Sequence, residues 1–588
     1  MDASKKLSAL RAEITKQNLD GFIVPHADEY LNEYLPASAE SLAWLTNFTG
    51  SSGEAVILKD RALVLTDSRY TIQIVREVDS KLYEIGDMAT LSVGDWLAAN
   101  AAGEKIGYDP RLHTRKQIEK IEEKIKGKKI SLHPVDQNPL YEVWTDRPSV
   151  PQSLAELFPD AVAGATSAEK RHRIADDLKR EKISAVIITD CDGICWLLNV
   201  RGDDVPYNPL VLSRLVLHVD GTADWYVDER KVPQQVADHL GGEVRMRAPE
   251  NFETDLAKLK GPVQVDPARS PLLAEMILEE KGIETIDGKS PCVFPKSIKT
   301  PSEQLWIKKA HIRDGVAVTL FLHWLDCQDF DRETHTEISL AEKLEDFRKG
   351  QDGYRGPSFP TISGWASNGA VVHYRAVPET NLKITGNNFL LLDSGAQYEY
   401  GTTDITRTIV IGKVTDEMKD RFTRVLKGHI AVSSAVMDDA MDGATLDALA
   451  RSPLKAVGLD YGHGTGHGVG CYLCVHEDST RISPMAKDQT FKPGMLLSDE
   501  PGYYLKGQYG IRHENLILCH EREDGKLYWE PVTLVPFDLR GVEWGMMTAD
   551  EIQWLRDYHE RVFAEISPFL YSEAVDWLRE FCFSYFKN

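Results

Sequence analysis

No stretch of this 588-residue chain reaches the ~18 uninterrupted apolar residues that a membrane span requires. Positive charge is in short supply: 68 Lys and Arg stand against 91 Asp and Glu, a formal net charge of −23. So acidic a surface repels phosphate backbones and anionic headgroups, which argues against nucleic-acid and membrane partners. Cysteine is scarce too. Eight in a chain of this length cannot make the dense disulfide framework of a small secreted domain. The opening segment has Leu7, Leu10 and Ile14 at helical spacing among charges and lacks the apolar core of a signal peptide, so a cytoplasmic protein with reduced thiols is expected. No segment is of low complexity, and 42% hydrophobic with 27% charged residues is an ordinary folded composition. Length alone suggests about four domains of roughly 150 residues.

What is present begins with an internal repeat. Trp44-Leu45-Thr46-Asn47-Phe48-Thr49-Gly50 is echoed by Trp196-Leu197-Leu198-Asn199-Val200-Arg201-Gly202. Each copy follows a charged helix-like stretch and a buried-strand run, 21–25 in one and 185–189 in the other. Each is followed by an apolar strand ending in Asp67-Ser68-Arg69 or Asp228-Glu229-Arg230. Alternating helical and strand patterns make each copy an α/β unit. The stretch 146–151, with two prolines, separates the copies; closely spaced prolines from Pro291 to Pro301 end the second and forbid regular helix there. A helix should start at Ser302, where Ser-x-x-Leu lacks the acidic residue of a capping box although Glu303 suits the first turn. From there to residue 530 glycine content rises and His, Asp and Glu gather in strand-like runs, and the residues after 540 read as aromatic-rich helices. The expected architecture is α/β: an N-terminal α/β domain at 1–147, its repeat at 152–298, a larger domain at 302–530 and a helical C-terminal extension at 531–588.

Two β-type runs, 388–395 and 401–410, flank a turn containing Gly and Tyr and read as a hairpin. A turn centred between Tyr398 and Glu399 sets Asp393 directly opposite Asp404, with Cβ atoms roughly 5 Å apart. Carboxylates so placed among apolar neighbours repel, and a divalent cation between them is the economical remedy; a different register with both acids solvated is the plain alternative. His463-Gly464-Thr465-Gly466-His467-Gly468 is too rich in glycine for the helix-borne His-Glu-x-x-His zinc motif. It suits close backbone approach to a ligand, with two imidazoles beside it, and His476 follows. An apolar run ends in Asp499-Glu500-Pro501-Gly502. The run 509–518 reads as one strand, with Arg512 and Glu514 on one face and His513 on the other. Singly, a strand Glu is usually solvated and a lone His structural. Together, Asp393, Asp404, His467, Glu500 and Glu514 are an oxygen-rich set with one nitrogen, suited to two divalent ions, Mn²⁺ or Co²⁺ ahead of a structural Zn²⁺.

The order and context of these motifs resemble the pita-bread metallopeptidases, a group containing methionine aminopeptidase, prolidase, creatinase and aminopeptidase P. Within it the chain is similar to the long, three-domain Xaa-Pro aminopeptidases. The likeness extends to Gly356-Pro357-Ser358-Phe359-Pro360, to Asn368-Gly369-Ala370 with His373-Tyr374, to Phe48-Thr49-Gly50-Ser51-Ser52-Gly53 and to Leu534-Val535-Pro536-Phe537. The resemblance implies two creatinase-N-like α/β domains before a pita-bread catalytic domain. It also implies release of an N-terminal residue that precedes proline, through a hydroxide bridging two divalent metals. It would give Asp393 to one metal, His467 and Glu500 to the other, and Asp404 and Glu514 to both. Glu500 would shuttle the proton, His373 and His476 would steady the scissile carbonyl, and His463 would line the proline pocket. Arg512 would meet a carboxylate or carbonyl of the substrate. His513 departs from the family, which usually has an apolar or small residue there; on the opposite strand face from Glu514, it should affect packing rather than metal binding.

Other readings compete. Cys471-Tyr472-Leu473-Cys474 matches C-x-x-C, but no thioredoxin-like context surrounds it, and buried apolar cysteines are the better expectation. Arg201-Gly202-Asp203 reads as a loop of the repeat rather than an adhesion signal. A catalytically silent binding protein on this fold would have lost ligands, whereas all five are present. Prolidase shares the metal site but typically has one N-terminal domain. The aromatic tail and the resemblance together imply a homodimer.

Overall fold

The computed structural model describes every residue except Ala102, Asp331, Asp439, Ala440, Lys587 and Asn588. The chain divides into two compact units, Met1–Val293 and Phe294–Asn588.

The first unit carries the duplication in its topology. One six-stranded sheet runs Glu84–Asp87, Ala62–Thr66, Glu54–Leu58, Gly21–Pro25, Lys105–Tyr108, Ser131–Pro134 from edge to edge. The other runs Val244–Arg247, Ala223–Tyr226, Arg214–His218, Ala185–Ile188, Val263–Val265, Thr285–Asp287. Neighbouring strands have the same sequence of senses in both sheets, with two antiparallel pairs at the centre and parallel pairs outside them. The repeated heptapeptide proves to be a helix end. Helices Ser41–Thr46 and Cys191–Leu198 both stop at an asparagine in the left-handed region, Asn47 (φ 67°) and Asn199 (φ 53°). Asparagine tolerates that conformation better than other residues with a Cβ, which accounts for its recurrence. Arg201 is buried with its guanidinium over the Phe158 ring, so the Arg-Gly-Asp triplet is part of the fold.

At the start of the second unit two sequence expectations are corrected. The proline-bearing segment contains a one-turn helix, Val293–Ser297, because Pro295 sits in a first turn whose N–H groups need no partner. The long helix spans Pro301–Asp326 and is capped by Thr300, not Ser302. Thr300 accepts from the Glu303 N–H while the Glu303 carboxylate accepts from the Thr300 N–H, a complete capping box with Pro301 in the first position. Beyond it lie a three-stranded sheet (Ile362–Trp365, Asn388–Ser394, Ile405–Ile411) and a six-stranded sheet. The latter includes Gly466–Gly468, Leu496–Asp499 and Asn515–Glu521. The helices Asp416–Ser433 and Ala549–Ile566 contribute to one core cluster, in which Phe422, Val425, Leu426, Leu555, Tyr558 and Val562 are buried together. Of the tail aromatics Tyr558 is buried, Trp544, Trp554, Phe563, Trp577, Phe583 and Phe586 pack half-buried against this core, and Phe569, Tyr571 and Tyr585 remain exposed.

Candidate metal centre

The hairpin exists, but its register is shifted from the expected one. Asp393 faces Thr406 and Ser394 faces Ile405, with Tyr398 and Gly401 flanking the turn. The turn centres between Glu399 and Tyr400, where Tyr400 takes a left-handed φ of 69°. Asp404 therefore stands diagonal to Asp393, one residue before its strand begins, rather than directly opposite. A shift of two positions preserves the side-chain face, so the clustering argument survives.

The remaining ligand candidates arrive from the six-stranded sheet. A Cβ on Gly466 would collide with the Ser498 carbonyl oxygen, so only glycine lets the His467 strand lie this close to its neighbour. The His467 backbone N–H donates to Ser498 Oγ at 3.0 Å, and its Nδ1–H donates to the Gly468 carbonyl at 2.9 Å. That tautomer turns the Nε2 lone pair toward Asp404 Oδ2 at 3.6 Å and Glu500 Oε1 at 3.4 Å. Ligand atoms of Asp404, His467 and Glu514 all lie within 4.8 Å of one another. The run 509–518 is not one strand: Tyr509–Arg512 and Asn515–Glu521 belong to different sheets and join through His513 and Glu514. The faces nonetheless fall as expected. Glu514 accepts from Thr406 Oγ1 at 2.7 Å, while His513 packs edge-on to Phe422 and Phe537 in the apolar core.

Arg512 also reaches the cluster. Fully buried, its guanidinium donates to Asp393 Oδ2 at 2.6 Å, to Tyr504 Oη at 2.6 Å and to the Val372 carbonyl at 3.2 Å. It thereby holds a ligand candidate in place. Tyr504 was not singled out from the sequence; the only hint was its place just after the Pro501-Gly502 turn. His463 Nε2 lies 2.8 Å from the Tyr504 hydroxyl. The His476 ring meets His467 edge-on at 4.4 Å between centroids, and His373 stacks on His476 at 6.4 Å. Beside His373, Tyr374 donates to Glu337 Oε2 at 2.8 Å, which pins the loop that carries the imidazole. After His476, Glu477 is buried between Lys299 and Lys296, the latter at 2.6 Å. Cys471 is buried and Cys474 partly so, and all eight cysteines are free thiols.

The electrostatics identify one cluster. Burial, then the charges of Asp393 and Glu500, pushes Asp404 well above the carboxylate range. Burial, then the charges of Asp404, Glu500 and Asp393, does the same to Glu514. Glu500 is pushed up to about 7, first by burial and then by Asp393, against the opposing pull of Arg512. One arginine cannot neutralise four carboxylates. Asp393 Oδ1 is buried with no hydrogen-bond partner, and carboxylate oxygens crowd the imidazole lone pair. Both features fit cations held among these side chains and are hard to account for otherwise.

The chain matches the metallopeptidase family M24 over residues 306–521 and the C-terminal region of that family over 525–584. It matches the creatinase/prolidase N-terminal domain twice, over 6–142 and 146–303. It is 36% identical to a probable Xaa-Pro aminopeptidase P of Talaromyces stipitatus, covering 99% of this chain and 92% of the relative. It is 35% identical to aminopeptidase P1 of Lotus japonicus, covering 98% of each. Its fold superposes with a TM-score of 0.94 on X-prolyl aminopeptidase from Caenorhabditis elegans, described as a cytosolic enzyme with a di-nuclear active site, at 31% identity and 99% coverage of both chains. With two creatinase-type N-terminal domains ahead of the catalytic domain and the peptidase's C-terminal region after it, the chain belongs to metallopeptidase family M24 and, within it, to the long Xaa-Pro aminopeptidases.

Proposed function

We infer that this chain releases the N-terminal residue of peptides with proline in the second position, using two divalent ions held by Asp393, Asp404, His467, Glu500 and Glu514. The buried, unpartnered Asp393 Oδ1 among mutually repelling carboxylates carries the assignment of the site. On the likeness to the family, Asp393 would hold one ion, His467 and Glu500 the other, and Asp404 and Glu514 would contribute to both. Such ions, when bound, lower the pKa of water toward neutrality and polarise a carbonyl. Mn²⁺ suits a set of four carboxylates and one imidazole better than thiolate-seeking Zn²⁺. The chain's own part is orientation and proton handling. Arg512 holds Asp393, and Thr406 holds Glu514. Glu500, reaching the same cluster beside His467, would take and return the proton of that water. His373 and His476, stacked beside His467, present imidazoles to the scissile carbonyl.

Proline's ring and missing N–H demand a dedicated apolar pocket, so Ala-Pro-Ala should be cleaved far faster than Ala-Ala-Ala by chelated protein reconstituted with Mn²⁺. Equal rates on the two tripeptides would refute the specificity, and action confined to dipeptides would make the chain a prolidase.

The same reading includes a cytoplasmic homodimer. Its support is the cytosolic description of the C. elegans enzyme and the exposed Phe569, Tyr571 and Tyr585 on the tail. Among the described residues no helix is long and apolar enough to cross a membrane. Light scattering should return about twice the 66.0 kDa chain mass, and a monomer at micromolar concentration would refute the dimer. The tail helices supply Leu555, Tyr558 and Val562 to the core, so Phe569→Ser with Tyr571→Ser, rather than truncation, tests the tail's part.

A further inference from the structure

Behind the carboxylate cluster lies a second buried polar network that none of the roles above uses. Asp499 and Asn515 are register partners on adjacent strands, and their side chains turn toward the helix Asp416–Ser433. Glu500 and Glu514, next to them in sequence, turn the other way, into the cluster. His429 of that helix reaches both partners. Its Nδ1 lies 3.0 Å from the Asp499 carbonyl oxygen and 3.1 Å from Asp499 Oδ2, and its Nε2 lies 3.2 Å from Asn515 Nδ2. One helical turn on, Ser433 Oγ donates to Asp499 Oδ2 at 2.7 Å. His429, Asp499 and Asn515 are all fully buried.

One permanent charge settles where the protons sit. Arg407 Nη2 donates to Asn515 Oδ1 at 2.8 Å, so the amide must offer its NH₂ to His429. His429 Nε2 therefore accepts, and the ring's single proton resides on Nδ1, where it donates to Asp499. The same guanidinium donates to the Glu514 carbonyl at 2.6 Å and to the Thr406 carbonyl at 2.9 Å, which ties the orientation to the strand facing Asp393.

We propose that His429 is a positioning residue of the metal centre: it clamps the residue before Glu500 to the residue after Glu514 and so fixes the spacing of two ligands from behind. The inference rests on the ligand set inferred above. Groups bonded directly to ligating side chains typically carry a 10–100-fold effect on metal affinity, and His429 acts on the same ligands through the adjoining backbone.

The full-length protein, stripped with chelator, is titrated calorimetrically with Mn²⁺ alone, beside His429→Asn and His429→Gln. An asparagine amide reproduces the Nδ1 donor toward Asp499 and loses the contact to Asn515; a glutamine amide does the reverse. Each variant should bind Mn²⁺ at least tenfold more weakly than the unaltered protein, and the double loss in His429→Phe should weaken it further. KM for Ala-Pro-Ala at saturating Mn²⁺ should stay within about twofold, a split that general loosening of the fold would not give. Equal Mn²⁺ affinity in the unaltered protein and both amide variants overturns the role of His429 and leaves the ligand set standing. No Mn²⁺ binding by the unaltered protein overturns the ligand set and this inference with it.

Discussion

Asp404→Ala should leave a folded protein with kcat/KM on Ala-Pro-Ala lowered at least ~10³-fold, about 4 kcal/mol of transition-state stabilisation. A carboxylate shared by two ions serves both, so its loss leaves their mutual repulsion uncompensated. Stability should move in the opposite direction. Asp404 is buried beside Asp393 and Glu500, and its ionised form is disfavoured by burial and by both charges. Removing it relieves repulsion in the metal-free fold, so the chelated variant should melt no lower than the chelated parent, while Mn²⁺ should raise its Tm much less. Activity within tenfold of the parent would show that Asp404 is not a shared ligand.

The second large effect is on pH. Stripped of divalent ions, the protein should lose stability as pH rises from about 5 to about 8, whereas the Mn²⁺-loaded protein should not. Glu500 titrates near 4.5 when unfolded and near 7 in the metal-free fold. Its raised pKa means that the folded state binds more protons than the unfolded state between those values. The stabilisation is therefore complete below about 4.5 and lost as pH climbs through 7. For Glu500 alone this amounts to about 3 kcal/mol, and Asp404 and Glu514 are shifted in the same direction. Divalent ions replace the protons and cancel the penalty, so the Tm gap between loaded and stripped protein should widen with pH. Comparing the two at each pH removes the contribution of groups far from the site. A gap of constant size from pH 5.5 to pH 8 would show that these carboxylates do not share a cation.

The local chemistry of the site was largely legible in the chain. Asp393, Asp404, His467, Glu500 and Glu514 stand out because their residue types recur in strand-like, glycine-rich contexts, and strand periodicity put His513 on the apolar side of Glu514. The duplication was legible because Trp-Leu-x-Asn encodes a helix end with a left-handed asparagine, a local requirement that appears twice. At the start of the long helix the serine after Pro301 competes with the threonine before it as the cap. Yet Thr-Pro-Ser-Glu holds a full capping box with proline in the first position, and that signal was local too.

What the sequence alone determined is the set of groups and the face each occupies, since period-two alternation and capping depend on near neighbours in the chain. Only the tertiary structure decided which of those groups meet. It set the hairpin register at Tyr400, joined Arg512 to Asp393, and brought Tyr504 to both Arg512 and His463. It also carried His429 from a helix to the residues beside two ligand candidates. These contacts join residues distant in sequence, and each depends on burial that exists only once the sheets have packed against their helices. No local pattern records them, because the unfolded chain gives those side chains no reason to prefer one another.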